Sequence, residues 1–202
     1  MVRLHAVVLV PLLAAALWAQ QPASSARAAP KVKTLIPDPG SISQGVYRNS
    51  VFGFSYKLPF GWVDRTADMQ DDSPEASKSR LLLATFERPP QATGDTINSA
   101  VVIAAEPLPA GMQTAADYFD SLAGLIIAKG FQTANEPQEL SLGTTKLVRG
   151  DFTKPRGTLT MHQTSLVLVQ KGYAVSFTFI GGGEGEVNEL IERLSFASQK
   201  PR

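Results

Sequence analysis

Apolar and polar residues alternate between residues 52 and 58 of the 202-residue chain. Four large apolar side chains occupy every second position there: Phe52, Phe54, Tyr56 and Leu58. A period of two with one apolar face predicts a half-buried β-strand. Residues 58–61, Leu-Pro-Phe-Gly, then suit a type I turn. Trp62 and Val63 are therefore expected to return along the same face.

Two further apolar runs of strand length lie at residues 79–88 and 98–108. The residues between them include Pro, Gly, Asp and Thr, which favour turns. We therefore predict two strands joined by a long hairpin connection. Residues 64–79 are polar and acidic without periodicity, which predicts an exposed loop or a frayed helix.

Residues 114–130 have the spacing of an amphipathic helix. The positions on its repeating face are Ala115, Tyr118, Phe119, Leu122, Ile126 and Lys129. Thr114 followed three residues later by Asp117 resembles a capping box, although Asp replaces the usual Glu. Gly130 is suited to end the helix.

The C-terminal half predicts mainly strands. Residues 144–153 form one strand, and residues 154–157, Lys-Pro-Arg-Gly, are predicted to turn. Strands over residues 158–170 and 173–180 meet across the two-residue link Lys171-Gly172. Three glycines follow, and the closing helix has an apolar stripe: Val187, Leu190, Ile191 and Leu194. This order is not a βαβ alternation, and it predicts an α+β fold with a mostly antiparallel sheet flanked by helices.

The N-terminus has the order of a secretory signal peptide. Arg3 lies in a short basic start, residues 6–18 are apolar, and small and polar residues follow. The apolar stretch is shorter than the roughly 20 residues that span a bilayer. We expect cleavage after Ala19, with Ala28 as second choice, and a periplasmic or secreted location; a retained membrane anchor is the alternative.

The sequence accordingly divides into three parts. Residues 1–19 are the expected signal peptide. Residues 20–44 are rich in Ala, Ser, Gln and Pro without apolar periodicity, which predicts a flexible linker. Residues 45–198 have the length of one ordinary domain.

Composition excludes several classes of function. The chain has 19 basic and 18 acidic residues, and loss of Arg3 with the signal peptide would leave 18 of each. A nucleic-acid-binding protein needs a basic excess, and the sequence also shows no polybasic membrane patch. The chain has no cysteine, so the core must hold together without disulfides and no lipid can be attached to a thiol. We expect no nucleic-acid partner and no stable membrane insertion of the mature chain.

Two candidate catalytic or phosphate sites are weak. His162 lies in a predicted strand, and Ser165, three residues on, should point to the opposite face. No Gly-x-Ser-x-Gly motif supplies a nucleophile, so a dispersed hydrolase site around His162 is the least favoured hypothesis. Residues 180–186, Ile-Gly-Gly-Gly-Glu-Gly-Glu, lack the Lys-Ser/Thr ending of a phosphate loop, and their glutamates would repel an anion.

The acidic loop over residues 64–78 is the remaining candidate. Its possible ligands for a hard cation such as calcium are Asp68, Asp71, Asp72 and Glu75. Their spacing lacks the alternation and the glycine of an EF-hand, so a solvated loop is favoured over a metal site. We expect no transition-metal site, because the mature chain offers one histidine and no cysteine.

Residues 51–64, Val-Phe-Gly-Phe-Ser-Tyr-Lys-Leu-Pro-Phe-Gly-Trp-Val-Asp, resemble the early strand and turn of the PsbP-like superfamily, which includes DcrB-type periplasmic proteins. The aromatic strand at residues 172–180 and the ending Ser195-Phe196 are also similar. The resemblance implies an antiparallel sheet sandwiched between helices, no cofactor, and a non-enzymatic role. The matched positions belong to the fold signature: Gly53, Phe54, Tyr56, Pro59, Gly61 and Trp62.

The sequence thus favours an exported binding or accessory protein of the cell envelope, without catalysis, that acts through contacts with a protein partner. The alternative is a small-ligand or calcium-binding module that uses the acidic loop. Loops often mediate recognition when strands and helices use their apolar faces for packing. We therefore expect the stretch from Val63 to Arg80 to contact the partner.

Overall fold

Two antiparallel sheets form the body of the fold. The computed structural model describes residues 37–70, 79–89, 91 and 94–197. Within them the strands are β1 (Ser41–Ser43), β2 (Val46–Asn49), β3 (Phe54–Lys57), β4 (Val63–Asp64), β5 (Arg80–Phe86), β6 (Ala100–Pro107), β7 (Gln132–Thr133), β8 (Gln138–Leu142), β9 (Thr145–Arg156), β10 (Leu159–Gln170), β11 (Tyr173–Gly181) and β12 (Leu194–Phe196). The helices are α1 (Thr66–Met69), α2 (Ala115–Ala128) and α3 (Glu184–Ile191).

The small sheet has the order β1-β2-β3-β12, and the large sheet has the order β4-β5-β6-β11-β10-β9-β7, with β8 also paired to β9. Every strand pair is antiparallel. The predicted α+β class with a mostly antiparallel sheet is therefore confirmed. Within the described part of the chain, no helix is long and apolar enough to cross a membrane.

The large sheet is covered on both faces. On one face α2 packs through a cluster that includes Phe119 and Val167. On the other face the small sheet and α3 enclose a larger cluster that includes Phe54, Phe177 and Leu190. Successive residues of a strand alternate between these two clusters, as the period of two requires. The aromatic residues of β3 thus belong to the core, as the alternation at residues 52–58 indicates.

Helix α2 agrees with its sequence signals. The side chain of Thr114 accepts the N–H of Asp117, and the Asp117 carboxylate accepts the N–H of Thr114 at 2.9 Å, so the capping box is complete. The N–H of Gln113, together with the N–H and side chain of Thr114, stabilises the ionised carboxylate, so the pKa of Asp117 is lowered. Gly130 ends the helix with a φ of +88°, a conformation that favours glycine.

Three local predictions are corrected. The first concerns the turn after β3, where the N–H of Trp62 donates to the carbonyl of Pro59 at 3.4 Å. Gly61 is then the third residue of the turn, and its φ of +81° is typical of type II rather than type I. Val63 pairs with Phe86 of the large sheet and does not return along β3. The turn therefore carries the chain from one sheet to the other, which leaves Trp62 half-buried at the margin of the core.

The second correction is the turn predicted at residues 154–157, where β9 instead continues to Arg156. Gly157, with a φ of +63°, supplies the turn conformation. Pro155 lies opposite Thr160 in the ladder. Strand β7 pairs only with residues 152 and 153 of β9, so Pro155 lies where β9 is an edge strand and a proline is tolerated.

The third correction concerns the end of the predicted linker. Ser41 to Ser43 pair with β2, so these residues, placed by sequence in the linker over residues 20–44, are part of the small sheet. The connecting Gln44 and Gly45 both have positive φ, which matches a tight two-residue hairpin. Residues 1–36 lie outside the described part, and the signal peptide stays a prediction.

Candidate binding groove beside strand β12

Strand β12 has one paired edge and one free edge. The N–H of Lys57 donates to the carbonyl of Arg193 at 3.0 Å, and the N–H of Ala197 donates to the carbonyl of Gly53 at 2.9 Å. Bonded and non-bonded pairs alternate along an antiparallel ladder. Residues 193, 195 and 197 therefore direct their backbone groups toward β3.

The intervening residues, Leu194 and Phe196, direct their backbone N–H and C=O groups away from β3. β12 is the last strand of the small sheet, and no strand among the described residues pairs with its outer edge. A row of unpaired backbone donors and acceptors is a template for another strand.

Two grooves meet at the end of β12 and together are called the β12 groove. The first has a volume of about 430 Å³ and is lined by Arg48, Asn49, Ser50, Gly53, Phe54, Ser55, Ser195, Phe196 and Ala197. The second has a volume of about 320 Å³ and is lined by Phe52, Gly53, Thr144, Thr145, Leu168, Gln170, Phe196 and Ala197. Both volumes fall in the range of ligand sites. The two grooves share Gly53, Phe196 and Ala197, so they meet at the end of β12.

An aromatic cluster fixes Phe196 between the two grooves. Its ring centroid lies 6.1 Å from that of Phe54 and 6.0 Å from that of Phe177, and these two rings are themselves 5.0 Å apart. Edge-to-face contacts at such distances are favourable beyond the area that they bury. Phe196 is half-buried, so one part of its ring is held by the core while another is open to the groove.

The turn from β2 to β3 shapes the rim of the first groove. The buried side chain of Asn49 accepts the N–H of Phe52 at 3.0 Å and donates to the carbonyl of Asp38 at 2.9 Å. Gly53 closes the turn by donating to the Asn49 carbonyl at 2.9 Å, with a φ of +67° that favours glycine. The conformation of this rim is thus set by a buried amide and a glycine.

Polar side chains cross the outer face of the small sheet. The hydroxyls of Ser55 and Ser195 lie 2.9 Å apart, and Arg48 is opposite Ser55 on the other side. A third groove of about 510 Å³ continues past Ser195 and is lined by Lys57, Glu189, Glu192, Arg193 and Ser195. The first groove therefore combines an aromatic floor with hydroxyls and one guanidinium group, while the third carries both signs of charge.

Two tyrosines lie beneath this face. Burial raises the pKa of Tyr56 well above its usual range, and the nearby Arg193 guanidinium opposes this only in part. The Tyr56 hydroxyl is buried and has no hydrogen-bond partner among the described residues. Burial also raises the pKa of Tyr47, and a hydrogen bond from Asn49 opposes the rise. Both groups are therefore protonated at neutral pH.

The structure places His162 away from the β12 groove. It lines a cavity of about 80 Å³ that also contacts Asp151 and Glu184. The Asp151 carboxylate accepts hydrogen bonds from Arg149 at 3.0 Å and Thr164 at 2.5 Å, so it is held by a structural network. Ser165 is fully buried on the other face of β10, the face that α2 covers. His162 and Ser165 therefore do not form a nucleophile–base pair.

The glycine loop before α3 is filled by its own helix. The carboxylate of Glu186 accepts the N–H of Gly182 at 2.8 Å and also accepts the hydroxyl of Ser99. The position that an anion would occupy is thus taken by a carboxylate of the chain.

The acidic loop is only partly described. Asp68 pairs with Arg65 at 2.6 Å. Asp64 accepts both the N–H and the hydroxyl of Thr66, at 2.9 and 2.6 Å. These carboxylates therefore have local partners that compete with a cation. The other candidates, Asp71, Asp72 and Glu75, lie outside the described residues. Within the described ranges, no three acidic or histidine side chains are grouped to hold a metal ion.

Sequence reasoning missed the β12 groove as a site, although its residues were partly recognised. Ser195 and Phe196 are part of the family resemblance, yet Ser195 lies 140 residues from its partner Ser55. No local pattern shows which strand a three-residue segment will join.

Comparison with known proteins supports the fold. No protein-family model and no curated protein matches the chain. The cyanobacterial PsbP from Synechocystis sp. PCC 6803 matches with a TM-score of 0.52 and 13% identity over 78% of this chain and 96% of that one.

Two weaker structural matches have TM-scores below 0.5. LpqN, involved in cell envelope biogenesis of Mycobacterium tuberculosis, has a TM-score of 0.42 and 14% identity over 79% of this chain and 86% of that one. The Saccharomyces cerevisiae Ran-binding protein Mog1p has a TM-score of 0.46 and 9% identity over 77% of this chain and 96% of that one. On the evidence of the cyanobacterial structure, the chain has the PsbP-like α+β fold that the sequence resemblance implies.

Proposed function

We propose that this chain is an exported, non-catalytic binding protein that takes up an extended segment of a protein partner along β12. The observation that carries the proposal is the free edge of β12, which ends beside two grooves that share Phe196. The signal-peptide pattern at residues 1–19 supports export. The separation of His162 from Ser165 supports a role without catalysis.

Addition of a partner strand would use both the free edge of β12 and the two grooves beside it. The partner's backbone would hydrogen-bond to the outward N–H and C=O of Phe196, and such main-chain bonds provide affinity. Successive side chains of an extended segment point to opposite faces. One residue would therefore enter the first groove while its neighbour enters the second.

The lining of each groove indicates what it would accept. The first presents the Arg48 guanidinium beside the Ser55 and Ser195 hydroxyls, which suits an acidic or hydrogen-bonding side chain. The second presents Phe52 and Leu168, which suit an apolar side chain. The expected segment thus alternates acidic or polar residues with apolar ones.

A matched pair of variants tests whether a partner pairs with the outer edge of β12. Phe196→Pro removes the outward N–H, whereas Phe196→Ala keeps it, and both lose the same ring contacts. A photo-crosslinking residue at position 144 would first capture the partner from the envelope fraction and identify its contacting segment. A peptide of that segment is then titrated against each folded variant by fluorescence anisotropy.

We expect Phe196→Pro to bind the peptide about tenfold more weakly than Phe196→Ala, the effect of about one hydrogen bond. Circular dichroism checks that both variants retain the fold. Equal affinity for the two variants would show that the partner does not pair with β12.

A further inference from the structure

The last turn of α2 is apolar on its solvent side. Four exposed positions in this turn carry no charge: Gly124, Leu125, Ile127 and Ala128. Leu125 is 64% exposed and Ile127 is 50% exposed, and they lie on the two flanks of Ile126, which is buried against the sheet. A helix of a soluble domain usually places polar residues at its exposed positions. The end of α2 therefore has an apolar surface that packing within the domain does not explain.

The β9–β10 hairpin is attached to this helix end. The Lys154 ammonium donates to the carbonyl of Lys129 at 2.7 Å and lies 5.4 Å from the centre of the Phe131 ring. Residues directly opposite in an antiparallel pair share a face, and Met161 is opposite Lys154. The surface of α2 thus continues onto the hairpin.

The tip of the hairpin extends this surface. Arg156 lies two residues beyond Lys154 on the same face, and Leu159, 37% exposed, is opposite it. The basic–apolar surface therefore has six members: Leu125, Ile127, Lys129, Lys154, Arg156 and Leu159. It has three cations and no acid.

These cations have no carboxylate partner in the described part of the chain. The ion pairs there involve other basic residues: Arg65, Arg88, Lys146 and Arg149. Lys129 and Arg156 are exposed. The cations of the surface are thus available to an anionic partner.

We propose that the basic–apolar surface binds an anionic lipid bilayer. Leu125, Ile127 and Leu159 would enter the boundary between headgroups and acyl chains, while the cations remain at the phosphates. Lys and Arg are suited to this because their long stems keep the charge at the headgroups while the neighbouring residues insert.

The shape of the surface favours lipid over a protein partner. A partner helix would need an apolar groove in which to lie. The exposed residues instead lie at a helix end and a hairpin tip. The proposal goes beyond the binding function of β12, because α2 and the small sheet lie on opposite faces of the large sheet. A bilayer bound at α2 leaves the β12 groove accessible.

A single fluorescent label tests the contact directly. The chain has no cysteine, so Thr158→Cys in the full chain gives one thiol at the hairpin tip for an environment-sensitive NBD dye. We expect its emission to shift to the blue with vesicles of phosphatidylglycerol and phosphatidylcholine, but not with phosphatidylcholine alone. Added salt should reverse the shift. The same dye at Ser43→Cys, on the small sheet, should not respond.

Charge variants test the cations with a matched control. Lys129→Gln with Arg156→Gln should lower the vesicle partition coefficient about 25-fold, since each basic residue contributes about fivefold at an anionic surface. Lys57→Gln with Lys171→Gln changes the net charge equally at exposed positions outside this surface and should leave partitioning unchanged. The apolar residues 6–18 are common to all these variants, so any contact that they make with the vesicles is the same in each.

Three results would overturn the proposal. In the first, the protein sediments with vesicles while the dye at position 158 does not respond, so that binding occurs elsewhere in the chain. In the second, both double variants weaken binding equally, which would indicate that vesicle binding depends on net charge alone. In the third, the dye responds to an acidic amphipathic peptide but not to vesicles, which would make the surface a protein site.

Discussion

The substitution Gly150→Ala tests how closely α2 packs on the large sheet. Gly150 is buried in β9, and an added Cβ would lie 2.8 Å from Cε1 and 3.2 Å from Cε2 of Phe119, with Cζ closer still. Real Cβ atoms essentially never come within 3.0 Å of another heavy atom. Phe119 is fully buried and stacks on Phe152 with the ring centroids 6.3 Å apart. The ring therefore has no free space, and the helix or its side chain must shift.

We expect Gly150→Ala to lower the free energy of unfolding by about 2 kcal/mol. Overpacking a core by one methyl group costs about 1–3 kcal/mol, and a contact below 3.0 Å favours the upper part of this range. Alanine also restricts the unfolded chain, which offsets about 0.4–1 kcal/mol. Urea denaturation followed by circular dichroism measures the change from the midpoint at constant slope.

Two further variants separate the clash from other effects of alanine. Gly124→Ala adds the same methyl group on the exposed side of α2, where no atom lies within 4 Å, and should stabilise the protein by about 0.5–1 kcal/mol. Phe119→Leu should relieve the clash, so that the double variant loses at least about 1 kcal/mol less than the sum of the single changes. If Gly150→Ala has wild-type stability, or if the two sites do not couple, α2 does not contact β9 as described.

Three other predictions concern single residues. Tyr56→Phe removes a buried hydroxyl without a partner and should raise stability by about 1 kcal/mol in urea denaturation. Burial raises the pKa of Tyr56 in the folded protein, so ionisation of this residue does not lower the free energy of unfolding below about pH 10. Above that pH the unfolded tyrosine ionises first, and the free energy of unfolding falls. Tyr56→Phe should therefore weaken the alkaline loss of stability, and an unchanged pH profile would contradict this. Thr114→Ala removes the N-cap of α2 and should lower the free energy of unfolding by about 1 kcal/mol. Thr114→Ser keeps a capping hydroxyl and should lower it much less, so equal losses would contradict the capping role. Trp62 is half-buried, so Trp62→Ala should cost about 2 kcal/mol rather than the 3–5 kcal/mol of a core aromatic, and iodide should quench its fluorescence partially; complete protection would place it in the core.

The sequence predicts those elements whose signals are local. The helix over residues 114–130 has its cap, its apolar face and its terminal glycine within 17 residues, and the structure reproduces all three. The hairpin at Lys171 and Gly172 is similar, since both residues adopt the positive φ that its tight turn requires. Such features depend on neighbours in the chain and not on the tertiary contacts.

Features that depend on distant contacts could not be predicted in this way. The sequence suits a type I turn over residues 58–61, whereas the structure has a type II turn from Pro59 to Trp62, after which Val63 pairs with Phe86 in the other sheet. The basic–apolar surface likewise unites Lys129 with Arg156, which lie on separate elements and form no charged run in the sequence. The β8 strand was not predicted because its partners in β9 decide its conformation.

The pairing of β12 with β3 has a consequence for biogenesis. A chain is synthesised from its N-terminus, and β3 must wait for residues 194–196 before its second neighbour exists. Contacts of such long sequence separation also form late because loop closure opposes them. The large sheet can assemble its β9–β10–β11 meander earlier, since those strands are consecutive. If β12 binds its partner as proposed, this ability should therefore appear only when the chain is nearly complete.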